Sequence, residues 1–144
     1  MKLMAQTARP PTMRRLHVKT VRVLVSLLAA ALAASPVAAK EHIVDIVWGA
    51  DGAFRHAATV APGKFVEVCG KFRAGEKVAW EFEAAEAVDF NIHYHAGKDT
   101  VFPAKLAQTS RARDTLAVTV AEDYCWMWTN KGSASALVSV SLRR

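Results

Sequence analysis

In "VDFNIHYHAGKD", residues 88–99, His93 and His95 stand one residue apart. Side chains alternate between faces in an extended segment, so both imidazoles share one side with Asp89 and Asn91. Val88, Phe90, Ile92 and Tyr94 take the other side, toward a core. Two neutral imidazoles at i and i+2 can reach one ion, and imidazole suits copper, zinc and nickel. The competing reading is a pair of polar residues on the solvent side of a sheet. Met127 and Cys125 fall on one side of "YCWMWTN", opposite Tyr124, Trp126 and Trp128. A thioether near two imidazoles suits copper, whereas a Met among aromatics also serves as core filler.

A third histidine depends on processing. If the chain is cut after Ala39, it begins Lys40-Glu41-His42. A free amino group, two deprotonated amides and the His42 imidazole then form a square-planar four-nitrogen chelate, the geometry of Cu(II) and Ni(II). The other reading makes His42 the first residue of a strand, "HIVDIVW". The metal expectation is therefore a copper ion held by His93 and His95, with His42 and Met127 as accessory donors.

Residues 1–39 read as a secretory signal. They carry six basic residues and no acidic one, then the apolar run "VLVSLLAAALAA" from Val23 to Ala34, then Ser35-Pro36 and the small residues "VAA". Twelve apolar residues fall short of the roughly twenty that span a bilayer. The expected location is periplasmic or secreted, with no transmembrane segment after residue 39. Of the nineteen Lys and Arg, the remaining thirteen face all thirteen Asp and Glu, so residues 40–144 balance to zero. With no basic run interleaved with aromatics there, nucleic-acid binding loses its support. Enzyme signatures are missing: there is no G-x-S-x-G, C-x-x-C, H-E-x-x-H or phosphate-binding glycine loop. Ser110 and Ser133 have no neighbours suggesting activation. Catalysis is not expected.

The segments that must hold these side chains have period two. "VAWEF" sets Val78, Trp80 and Phe82 against Ala79 and Glu81, and "TLAVTV" sets Leu116, Val118 and Val120 on one face. Turn residues separate the runs at "GADG", "APG", "AGE", "AGKD" and "NKG". Glu81, Glu83 and Glu86 read as a solvated face around a turn, and residues 102–113 as a crossover loop. The expected fold is all-β, one antiparallel β-sandwich over residues 40–144. Cys69 and Cys125 form an even count in an oxidising compartment, which favours a disulfide. Two free thiols, one or both ligating a metal, are the alternative.

Over roughly residues 60–142 the order of features resembles the Golgi-dynamics (GOLD) type of β-sandwich. The matching pieces are "VCGKFRAGEKVAWEF", "VDFNIHY", "YCWMWTN" in the form Y-x-apolar-x-W-x-N, and the closing strand "ALVSVSL". The resemblance implies a non-catalytic interaction module whose partner is another envelope protein. It also implies a disulfide between the early and penultimate strands, which fits Cys69 with Cys125. The architecture is more weakly similar to cupredoxin-like sandwiches, but a blue-copper site needs a His soon after its Cys, and none follows Cys125.

Overall fold

The computed structural model describes residues 42–144, with side chains from Ile43 onward. The expected signal segment and the Lys40–His42 chelate lie outside the described residues. All regular elements among these residues are strands: β1 (His42–Asp45), β2 (Ala53–Val60), β3 (Phe65–Lys71), β4 (Lys77–Ala96), β5 (Asp99–Ala117), β6 (Asp123–Thr129) and β7 (Ala136–Arg143). They hydrogen-bond in the order β1-β3-β6-β4-β7-β2, with β5 on the other edge of β4. The pairings are antiparallel, as expected of the sandwich, except β1 with β3, whose parallel pairing makes the sheet mixed.

The twenty-residue β4 makes the sandwich. Its first half, Ala79–Ala84, pairs with β7, and its second half, Asp89–His93, pairs with β6. Between these halves the register against β5 slips: Glu83 faces Arg111 and Val88 faces Thr109, so β4 carries the extra residues of a large bulge. Gln108, at φ 49°, absorbs the kink on β5. Bulges of this kind let a strand turn a corner from one sheet to another. The small residues Ala84, Ala85 and Ala87 occupy the corner, where the alternation of Glu81, Glu83 and Glu86 suggests a turn; the chain instead continues as strand.

The segment 102–113, expected to be a crossover loop, belongs to β5. It lacks a clean period because it is an outer strand with both faces largely exposed, and because Pro103 and the Gln108 kink interrupt it. Gly97, at φ 65°, helps form the two-residue β4–β5 turn between the paired Ala96 and Asp99, where a left-handed residue matches the strand twist.

The core lies between the layers. Val78, Trp80, Phe82, Val88, Phe90 and Ile92 of β4 meet Tyr124, Trp126 and Trp128 of β6 and Val138, Val140 and Leu142 of β7. Phe82, Phe90 and Trp128 form one aromatic group, with centroids 4.8–5.6 Å apart. Phe72, Tyr124 and Trp126 form a second, edge-to-face. The Nε1 atoms of Trp126 and Trp128 are buried without a conventional acceptor. Each indole packs edge-to-face with a phenyl ring, Trp126 with Phe72 and Trp128 with Phe82. Leu116 and Val118 are buried as expected, but Val120 is not: it is 41% exposed.

Candidate functional site

Cross-strand register assembles the outer face of the β3-β6-β4 layer. Glu67 stands opposite Met127, which stands opposite Asn91; Cys69 stands opposite Cys125, which stands opposite His93. The two cysteines form a disulfide, as the cysteine count and the GOLD resemblance led one to expect. Met127 is therefore a neighbour of the pair's strand, as its alternation suggests. The backbone of His42 pairs with that of Val66.

His93 is not on an open solvent face. It is 8% exposed, as is Asn91, so the expected outward-facing pair is corrected for this member. The physical reason is lateral cover: the His95 ring lies 5.5 Å from it, edge-on, and the Phe102 ring 6.0 Å away. Lys105 extends over Phe102, its Nζ 4.8 Å from the ring. His95 itself is exposed, with Nδ1 3.3 Å from Thr100 Oγ1.

The imidazole of His93 is held at both ends. Asn91 Oδ1 lies 2.8 Å from Nδ1, and an amide oxygen accepts, so Nδ1–H donates and Nε2 keeps its lone pair. Nε2 faces Glu67 Oε2 at 3.8 Å. That approach is not an ion pair at neutral pH. Burial, and then the neighbouring His95 charge, pushes the His93 pKa down, while burial pushes the Glu67 pKa up despite the opposing His95 charge. Each group is thus driven toward its neutral form. Donor atoms of Glu67, His93 and Cys125 lie within 4.8 Å of one another. The disulfide ties up Cys125 Sγ, so in this state the group offers one nitrogen and one carboxylate.

Glu67 escaped the sequence reading because it is 26 residues from His93 in the chain. The usable signal was alternation in "FVEVCGK": Glu67 shares a face with Cys69, and a Cys69–Cys125 bridge brings that face beside Met127.

No family model matches the chain, and no curated protein matches it either. Solved structures do. The likeness is one of fold, a small β-sandwich. The chain is similar to PliG of Aeromonas hydrophila, a periplasmic inhibitor of g-type lysozyme, with a TM-score of 0.51 and 10% identity over 71% of this chain and 95% of that one. It is also similar to the pre-peptidase C-terminal domain of collagenase from Bacillus anthracis, with a TM-score of 0.55 and 7% identity over 72% and 96%.

Two further surfaces complete the candidates. The outer face of the β2-β7-β4-β5 layer bounds a concavity of about 940 Å³, with Arg55, Glu81, Glu83, Arg111 and Arg113 on its walls. Glu81 is opposite Arg113 and Glu83 opposite Arg111 in the strand register, so both signs of charge alternate across this face. The other surface is β5, paired among the described residues only with β4 and exposing Val101, Phe102 and Leu106. No helix among the described residues is long and apolar enough to cross a membrane.

Proposed function

We propose that this domain is a non-catalytic module of the cell envelope, GOLD-like in role, that binds another protein along the β5 edge. The observation that carries the reading is β5 itself. Among the described residues its nineteen positions have a strand partner on one side only, and Val101, Phe102 and Leu106 are 36%, 45% and 41% exposed along it. Free strand edges are pairing templates, and proteins guard them with proline, lysine and bulges. Pro103, Lys105 and the Gln108 kink sit among the exposed apolar residues, so open-ended pairing is blocked while a shaped apolar strip is kept. The likeness to a periplasmic protein that inhibits a lysozyme supports an exported setting and a protein partner.

A photo-reactive residue at position 102 tests this in living cells. The expected result is one adduct of defined mass, identified by mass spectrometry and lost in Leu106→Asp, with none from position 137, another exposed apolar site on β7. A g-type lysozyme is the first purified partner to try. Equal, indiscriminate labelling from positions 102 and 137 overturns the reading.

A second reading, copper binding at His93 and His95, is favoured by the buried imidazole and its orienting contact to Asn91. Titration of Cu(II) and Cu(I) into wild type and the His93→Ala/His95→Ala variant tests it, and equal binding by both removes it.

A further inference from the structure

We propose that the Cys69–Cys125 disulfide masks a metal site, and that its reduction opens one for a tetrahedral divalent ion of the Zn(II) type, held by Glu67, His93 and Cys125. The inference deepens the metal reading and does not need the β5 partner. Three features support it. The donor atoms of the three residues already lie within 4.8 Å of one another, so assembly needs no backbone rearrangement. His93 is nine-tenths buried, and its Nε2 has only the 3.8 Å approach to Glu67, too long for a hydrogen bond. Its Nδ1 is bonded to an amide oxygen, which fixes the tautomer that presents a lone pair at Nε2; outer-sphere partners of this kind orient metal-ligating histidines.

What the oxidised state lacks is the sulfur. A disulfide sulfur is not a thiolate, and the thiolate is the ligand. A dithiol reductant of the thioredoxin class supplies two electrons and two protons and becomes a disulfide itself, while the Cys69–Cys125 bond breaks to give two thiols. Cys125 then loses its proton to solvent as the ion binds. One imidazole, one carboxylate and one thiolate leave a fourth position for water. Thiolate, imidazole and carboxylate together are a zinc donor set.

Co(II) is the probe, because its thiolate complexes absorb strongly in the near ultraviolet and its tetrahedral complexes in the visible. The oxidised protein should give neither signal. Reduced wild type should give both, and Cys69→Ser should give both without reductant, since it frees Cys125 permanently. Cys69→Ser/His93→Ala and Cys69→Ser/Glu67→Gln should bind at least about tenfold more weakly, and Cys69→Ala/Cys125→Ser should lose the thiolate band. Near-ultraviolet circular dichroism of the core tryptophans monitors the fold in each. Equal binding by oxidised and reduced wild type overturns the gating while leaving a His93 metal site standing. A band indifferent to His93→Ala, or loss of the folded signal in both reduced wild type and Cys69→Ser, overturns the site itself.

Discussion

Asn130 shows how much one polar side chain can hold. It is fully buried, its Nδ2 donates to the carbonyls of Val60 and Ala134 at 2.8 Å each, and its Oδ1 accepts from Gly132 N–H at 2.9 Å. It thereby ties the β6–β7 connection to the end of β2. Asn130→Ala strands buried backbone groups and should lower unfolding stability by about 2–3 kcal/mol, read from denaturant melts. At His93 the effect depends on pH. Its folded pKa lies below the unfolded 6.5, so the unfolded chain takes the proton first. Its contribution is complete above about pH 6.5 and is lost as pH falls from there toward the depressed folded value. His93→Gln should flatten the stability profile in that window. Alternation in the sequence correctly assigned Tyr124, Trp126 and Trp128 to the core and Cys125 and Met127 to the opposite face. It could not say that His93 is covered, because period two gives a side chain's face but not the Phe102 or His95 ring that lies against it.

At the level of elements, the β4–β5 corner is fixed by Asp89. Its Oδ1 accepts from the backbone and side-chain nitrogens of Gln108, the kinked residue, and its Oδ2 lies 2.6 Å from Lys131 Nζ. The Lys131 hydrogen bond first, then those from Gln108, hold the Asp89 pKa down to about 2. A carboxylate depressed in the fold stabilises it above its unfolded pKa near 4, and that contribution is lost as pH falls through about 2. Asp89→Asn should therefore reduce the loss of thermal stability between pH 4 and 2, measured by circular dichroism melts. Strands with one buried face were readable because burial imposes the alternation. β5 was not, since an edge strand exposed on both faces has no apolar rhythm to read. Nor was the continuity of β4, because a bulged corner of small residues looks like a turn in one dimension.

For the whole molecule, the disulfide closes a separation of 56 residues between directly paired strands. Removing it as Cys69→Ala/Cys125→Ala should cost about 4 kcal/mol if its effect is mainly on unfolded-chain entropy. A lower denaturant midpoint with a steeper slope, from the less compact unfolded chain, would be the signature. The strand order has a temporal consequence. Among the described residues β2 pairs with β7 alone, and β3 beyond the short β1 pairs only with β6. A polypeptide leaving a ribosome or translocon in one direction thus releases β1, β2 and β3 with almost none of their lateral partners yet available. Folding must wait for the last eight residues of sheet, Ala136–Arg143. Nascent chains stalled before Ala136 should remain protease-sensitive, and chains released beyond Arg143 should become resistant together, from β1 through β7.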